Sequence, residues 1–188
     1  RFNISRVQMD EFALASHQKL ATAVANGYLN EIEAIITNKG AVYDQDVLEY
    51  LVEKASESNI WVISDETYGM LSFNKNYFSL LELNYEKIVV LSSFSKVFSV
   101  PGYRVGYVIA NPKLIDKVVL SSSTLYSCLP IFVQEGIKEG LNILDEFTKK
   151  RRTDYKKIGD DCIEILNKNN RISCAVPDSG FYLFIDIR

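Results

Sequence analysis

Short apolar runs alternate with segments of helical periodicity along most of the chain, a pattern typical of an α/β protein. Nearly continuous apolar runs predict strands over residues 33–37, 60–64, 88–91 and 103–110. Strands of this composition are buried on both faces, as in a parallel sheet that is covered by helices on its two sides. The pattern therefore predicts a mainly parallel sheet.

Apolar residues recur at helical spacing in three further segments. The spacing predicts helices over residues 43–57 and 112–121, and a longer helical region over 130–167 that is broken near Asp145. These helices separate the predicted strands, as expected for an alternating α/β chain.

The last part of the chain has a different pattern. Two apolar stretches, residues 171–176 and 181–187, flank the turn-forming sequence Pro177-Asp178-Ser179-Gly180. We therefore predict a β-hairpin in a smaller C-terminal domain.

Composition narrows the class of protein. The chain has 188 residues, of which 47% are apolar and 24% charged, with a formal charge of −3, as in a folded globular protein. It has no long basic tract, so we expect neither a nucleic-acid nor an acidic-membrane partner. No apolar run approaches the roughly 20 residues of a spanning helix, and a cytoplasmic location is expected.

Cysteine and histidine are too few for several kinds of site. Cys128, Cys162 and Cys174 lack C-x-x-C spacing, which argues against a disulfide framework and a thiolate metal site. The single histidine, His17, excludes a Ser-His-Asp hydrolase and a histidine-rich metal cage. We expect no metal, and the chemistry is left to lysine, carboxylate, tyrosine and arginine.

Lys96 is the strongest candidate for chemistry. It follows the predicted strand over 88–91, and ligands of parallel sheets bind at such strand ends. A lysine amine becomes nucleophilic, and able to form a Schiff base, when burial or a neighbouring cation lowers its pKa. Ser93, Ser95 and Arg104 lie near it in sequence and offer the hydroxyl and guanidinium donors that a phosphate dianion needs.

Asp65 and Tyr68 lie three residues apart where another predicted strand ends. A carboxylate at this position can pair with a pyridinium nitrogen, and the phenol can reach a ring oxygen. Together with an amine and a phosphate clamp, these groups are what a pyridoxal phosphate site requires.

Three motifs now identify a family resemblance. Ser64-Asp65-Glu66-Thr67-Tyr68, Ser93-Phe94-Ser95-Lys96 and the segment from Pro101 to Tyr107 resemble the class I/II aminotransferases, which are fold-type I pyridoxal-phosphate enzymes. The resemblance implies a three-layer αβα large domain with a mainly parallel sheet, and part of a smaller α+β C-terminal domain.

The resemblance also implies a role for each candidate residue. Lys96 would form the Schiff base and move the substrate proton, Asp65 would pair with the pyridine nitrogen, and Tyr68 would bind the ring hydroxyl. The phosphate would be held by Ser93, Ser95 and Arg104. Asn38 begins a segment placed where the family has an asparagine that contacts the ring hydroxyl, so it is a further cofactor-binding candidate.

The implied domain organisation has three parts. Residues 1–28 would form an N-terminal arm or helical segment, 29–125 the cofactor-binding portion of the large domain, and 126–188 part of the small domain. Family members run to about twice this length, above the usual size of a single domain. We therefore expect that internal and C-terminal segments of a longer protein are missing from this chain.

The expected activity is transfer of an amino group between an amino acid and a 2-oxo acid, with pyridoxal 5′-phosphate as cofactor and a homodimer as the working form. Two alternatives remain open. One is another fold-type I enzyme, such as a carbon–sulfur lyase or an aminocyclopropane-carboxylate synthase. The other is a truncated, non-catalytic homologue that acts as a binding or dimerisation module.

Overall fold

A computed structural model describes three stretches of the chain, residues 5–27, 41–73 and 77–187. They belong to two compact units, one within residues 1–37 and one within 38–188. The predicted strand over 33–37 and the candidate Asn38 lie outside the described residues.

The first unit contains one helix, α1 (Arg6–Ala25). Ser5 caps its start, because the Ser5 hydroxyl accepts from the Gln8 backbone N–H at 3.2 Å, and the Gln8 side chain accepts from the Ser5 N–H at 2.8 Å. This reciprocal capping box satisfies two backbone donors that a helix start otherwise leaves free.

The second unit is built on a three-stranded sheet of β1 (Val62–Asp65), β2 (Ile88–Ser93) and β3 (Gly106–Ile109). The strands lie in the order β1-β2-β3. β1 and β2 are parallel, as the sequence predicts, whereas β2 and β3 are antiparallel. The direction of β3 matters for the site, because its first residue lies at the same sheet edge as the last residues of β1 and β2.

Helix α2 (Gln45–Glu57) covers one face of the sheet. Its Val52 packs with Leu80, Ile88 and Val90, and all four side chains are buried. Ile88 and Val90 point to the same face because side chains alternate along a strand. The predicted helix over 43–57 is thus present, and it begins two residues later than expected, after Asp44.

The remaining α-helices of the described residues are α3 (Phe94–Val97), α4 (Pro112–Leu125), α5 (Ile131–Leu141) and α6 (Leu144–Leu166). The expected helical region over 130–167 is confirmed, with its break at residues 142–143. None of the described helices combines the length and the apolar character that crossing a bilayer requires.

The C-terminal strands β4 (Ile172–Cys174) and β5 (Ile185–Ile187) pair antiparallel. The predicted antiparallel pairing of the two C-terminal strands is confirmed, but the tight turn predicted at residues 177–180 is wrong, because the strands are joined by residues 175–184 and this connection contacts the segment that follows β1. Ser179 bridges to Ser72, and the Gly180 N–H donates to the Leu71 carbonyl at 3.3 Å. Gly180 has a φ of +77°, a conformation that favours glycine.

Candidate functional site

The segment between β2 and β3 carries three of the predicted site residues, Ser95, Lys96 and Arg104, and a fourth, Ser93, ends β2 directly before it. We call residues 94–105 the site loop. It begins at the end of β2 and returns to the same sheet edge, since Ser93 and Gly106 are cross-strand partners. Had β3 been parallel to β2, Arg104 would lie at the opposite edge.

Ser93 and Ser95 lie together at the start of the site loop. Ser93 caps α3, and its hydroxyl accepts from the Ser95 N–H at 3.1 Å. The two hydroxyl oxygens are 2.9 Å apart, and the Ser93 oxygen is 3.1 Å from the Val105 carbonyl oxygen. Ser95 is buried. The structure thus brings together the two hydroxyl groups that the sequence predicts to act as a pair.

Lys96 follows directly on α3 and is half-buried. Its amine nitrogen lies 5.6 Å from the centre of the Phe181 ring, within the range of a cation–π interaction. Within the described stretches, no carboxylate is close enough to Lys96 to form an ion pair. The amine is therefore held by an aromatic face and not by an acid.

Asp65 ends β1 and is exposed at the sheet edge. Its carboxylate accepts from the Thr67 N–H at 3.1 Å and from the Thr67 hydroxyl at 2.6 Å. Asp65 is in register with Leu91 of the parallel strand β2. These bonds fix the carboxylate at the strand end, and its other oxygen is available to a ligand.

Tyr68 lies in the turn after β1 and packs against residues 179–182. Its hydroxyl donates to the Tyr182 hydroxyl at 3.4 Å, and its carbonyl accepts from the Ser179 hydroxyl at 2.9 Å. Burial, the hydrogen bond with Tyr182 and the nearby Asp65 carboxylate all raise the pKa of Tyr68. The phenol stays protonated, and it could donate to a ligand by exchanging its long bond to Tyr182.

Arg104 is exposed and has a left-handed backbone, with a φ of +52°. Its guanidinium donates to the Pro101 carbonyl at 2.9 Å. Among the described residues, no hydrogen bond joins Arg104 to Ser93 or Ser95. The structure therefore puts Arg104 at the predicted edge, but it does not close a clamp between Arg104 and the two serines.

Glu66 is a structural residue that the sequence reasoning missed. Its carboxylate accepts from the Ser64 hydroxyl at 3.0 Å, the Leu80 N–H at 3.0 Å and the Ser79 hydroxyl at 2.7 Å, and it also accepts from the Tyr77 hydroxyl. Burial and this contact with Glu66 raise the pKa of Tyr77. Glu66 thus ties residues 77–80 to the turn that contains Asp65 and Tyr68.

Phe181 is the second residue near the site that the sequence reasoning did not identify. Its ring centre lies 5.6 Å from that of Tyr68, 5.4 Å from Tyr155 and 4.9 Å from Tyr182. We call these four residues the aromatic cluster. The motif around Gly180 was visible in the sequence, but nothing in a single sequence pairs position 181 with Lys96.

Known proteins resemble this chain in sequence and in fold. The family model described as "Aminotransferase class I and II" matches residues 32–188. Aspartate aminotransferase of Thermotoga maritima is 29% identical over 175 residues, covering 85% of this chain and 45% of the relative. The chain spans less than half the length of this and other curated relatives it matches.

Two solved structures show the same fold. A crystal structure of aspartate aminotransferase from Thermotoga maritima has a TM-score of 0.69 and 30% identity, covering 79% of this chain and 39% of that one. The alpha-aminoadipate aminotransferase of Thermus thermophilus, complexed with N-(5′-phosphopyridoxyl)-L-leucine, has a TM-score of 0.71 at 22% identity, covering 77% of this chain and 39% of that one. The expected α/β fold of the fold-type I transferases is confirmed.

The chain belongs to the class I and II aminotransferases. The resemblance stated from the three motifs is thereby confirmed. The match covers β1, the site loop and the segment that carries Phe181, so every described candidate residue falls within it.

Proposed function

We propose that the chain forms the cofactor-binding part of a pyridoxal-phosphate-dependent aminotransferase, which moves an amino group between an amino acid and a 2-oxo acid. The observation that carries this proposal is the course of the site loop. It takes Ser93, Ser95, Lys96 and Arg104 to the sheet edge at which Asp65 ends β1. The family match over residues 32–188 supports it.

The chemistry of the donor set suits the phosphate of the cofactor. Two adjacent hydroxyls and a guanidinium at a strand end match the oxygens of a phosphate dianion. In this proposal Ser93 and Ser95 bind the phosphate through their hydroxyls. Arg104 joins them by exchanging its bond to the Pro101 carbonyl for one to a phosphate oxygen.

The acidic and phenolic groups suit the ring. Pyridoxal phosphate, when bound, supplies an aldehyde carbon and a ring that accepts electrons. Asp65, held by Thr67, would keep the ring nitrogen protonated, which strengthens that acceptor. Tyr68, whose raised pKa keeps it protonated, would donate to the ring hydroxyl.

Lys96 has two tasks in this proposal. Its amine binds the cofactor covalently, and when it is free it accepts a proton from the substrate and returns it, with the proton carried on Nζ. A half-buried position suits both tasks, because the side chain is shielded from bulk water and can still reach a ligand.

Several further expectations belong to the same proposal. Asn38 would contact the cofactor ring, residues 29–125 would form the large-domain portion, and 126–188 would form part of the small domain. We also infer a cytoplasmic homodimer. Exposed apolar side chains support the inference of a partner surface, among them Leu125 (70% exposed), Tyr126 (78%) and Phe132 (76%).

A covalent trapping experiment tests the proposal. The purified chain is incubated with pyridoxal phosphate, reduced with borohydride and mapped by peptide mass spectrometry. We expect the phosphopyridoxyl group on Lys96, and we expect no such label in Lys96→Ala. Lys113→Ala is the matched control, because Lys113 is an exposed lysine at the start of α4 and should leave the labelling unchanged.

The outcomes separate the alternatives. Labelling spread over surface lysines, with no preference for position 96, would contradict the proposal and favour a non-catalytic homologue. Labelling at Lys96 without amino transfer to a 2-oxo acid, but with release of ammonia, would favour a carbon–sulfur lyase. Labelling at Lys96 with 2-oxo-acid-dependent transfer supports the aminotransferase.

A further inference from the structure

Lys96 lies over the face of Phe181, and this contact joins distant parts of the second unit. The distance from the amine nitrogen to the ring centre is 5.6 Å. Of the three other cation–ring pairs among the described residues, Lys54 with Tyr50 and Arg151 with Phe147 connect residues one helical turn apart, whereas Lys87 with Trp61 also joins distant positions. The contact of Lys96 depends on the tertiary position of the segment around Phe181.

That segment is fastened to the turn after β1. The Phe73 N–H donates to the Asp178 carbonyl at 2.7 Å, and the Gly180 N–H donates to the Leu71 carbonyl at 3.3 Å. A side chain at position 180 would bring its Cβ to 3.3 Å from the Tyr68 ring, so the glycine lets the segment lie close to Tyr68. Phe181 is held in place by backbone bonds and not only by side-chain packing.

The aromatic cluster surrounds the contact with rings. Tyr68 and Tyr155 both meet Phe181 edge to face, at interplanar angles of 71° and 62°. Tyr182 packs against the same ring at an interplanar angle of 38°, and the Lys96 amine also lies over this ring. The electron-rich face of an aromatic ring attracts an ammonium group, and the attraction grows as water is excluded.

We propose that Phe181 is a positioning residue for Lys96: its ring face holds the proton-bearing amine in place at the start of the site loop. This rests on the proposed function, in which Lys96 alternates between a free amine and an ammonium group. The ring stabilises the ammonium without the strong bond that a carboxylate would form, so the proton can be given back. Phe181 itself forms no bond to the reacting atoms.

The test uses nuclear magnetic resonance of the chain without cofactor, with isotope-labelled lysine. In the wild type we expect an upfield ring-current displacement of the Lys96 ε-methylene resonance, and a proton–proton contact between this methylene and the Phe181 ring. A Lys96→Arg variant assigns the resonance. Phe181→Tyr, which keeps the ring, should retain both signals.

Two variants separate the cation–π attraction between Phe181 and Lys96 from the space that the Phe181 ring fills. Trifluorinated phenylalanine at position 181 keeps the ring but removes its negative face, so the ring-bound population should fall about two- to fivefold and the displacement should shrink with it. Phe181→Leu should abolish the displacement. Phe147→Leu, which removes a ring under Arg151, is the matched control and should change neither signal. Thermal unfolding of each variant reports whether it is folded.

A full ring-current displacement in the trifluorinated variant would overturn the proposal, as would a displacement of the Lys96 resonance that survives in Phe181→Leu. The labelling experiment is independent of these signals. A chain with the expected resonances but no phosphopyridoxyl group on Lys96 would overturn the proposed function. Labelling at Lys96 with no ring-current displacement would overturn only the role of Phe181.

Discussion

Ser93 and Gly106 face each other across the antiparallel strands β2 and β3. A Cβ atom added at Gly106 would lie 2.6 Å from the Ser92 carbonyl oxygen, a backbone atom that cannot move without moving β2. The close approach of the two strands thus depends on glycine at position 106. This pair closes the site loop.

The first prediction concerns that glycine. Gly106→Ala should lower the free energy of unfolding by about 1–3 kcal/mol, because the strands must separate to admit the methyl group. Chemical denaturation measures the change. Gly136→Ala in α5 is the control, since a Cβ there meets nothing within 4 Å. This variant should be neutral or gain up to about 1 kcal/mol. Equal effects of the two substitutions would contradict the prediction.

Glu66 carries the second prediction. Glu66→Ala removes the acceptor of the Ser79 hydroxyl and the Leu80 N–H and should cost about 2–3 kcal/mol, because donors are left unsatisfied. Glu82→Ala, at an exposed position nearby, should change the free energy of unfolding by less than about 0.5 kcal/mol. The idea fails if Glu66→Ala unfolds at the same denaturant concentration as Glu82→Ala.

The third prediction concerns alkaline pH. The pKa of Tyr77 is raised above its ordinary value of 10.0 by burial and by Glu66. Above that pH the unfolded chain loses the phenolic proton while the folded chain keeps it. Stability should therefore be constant below about pH 10 and fall above it, by up to about 1.4 kcal/mol per pH unit.

Tyr77→Phe should make this fall less steep, because one titrating group is gone, and the part due to Tyr68, whose pKa is also raised, should remain. Tyr126→Phe, at a position that is 78% exposed, is the control and should leave the slope as in the wild type. Denaturant midpoints measured from pH 8 to pH 11 give both slopes. A Tyr77→Phe variant with the wild-type slope would show that Tyr77 does not titrate with folding.

The fourth prediction concerns Arg104. Arg104→Gly suits the left-handed backbone, with its φ of +52°, and should leave the chain as stable as the wild type or more so. Loss of the guanidinium should weaken pyridoxal phosphate binding about 10- to 100-fold. Arg104→Lys keeps the charge but loses the guanidinium geometry that allows two parallel hydrogen bonds. Its affinity for pyridoxal phosphate should therefore lie between those of the wild type and of Arg104→Gly. Titration of cofactor absorbance measures all three affinities, and an Arg104→Gly variant with unchanged affinity would remove Arg104 from the phosphate site.

Much of the second unit could be predicted because its strands are nearly continuous apolar runs. The apolar run that contains Ile88 and Val90 predicts a buried strand, and the polar residues that follow this run predict the functional end of that strand. The residues of the site loop are also close in sequence, so the pairing of Ser93 with Ser95 required only a local turn.

The features that could not be predicted depend on contacts between residues far apart in the sequence. Periodicity reports how a residue is buried but not which way a neighbouring strand runs, so the antiparallel direction of β3 was not legible. The contact of Lys96 with Phe181 depends on where the segment around Gly180 is fastened, and a single sequence contains no signal for such a pair. In the sequence, Glu66 is one of several polar residues after a strand. Its role depends on hydrogen bonds from Tyr77 and Ser79, which the sequence does not show.

The residues that flank the site loop, Ser93 and Gly106, pair with each other across β2 and β3. A change in the length of the loop therefore leaves the register of these strands unchanged. Adding or removing one residue between Val97 and Val100 would shift Lys96 relative to Arg104 and leave Ser93 opposite Gly106. A change of loop length would therefore leave the sheet intact while it separates the candidate lysine from the candidate phosphate-binding arginine.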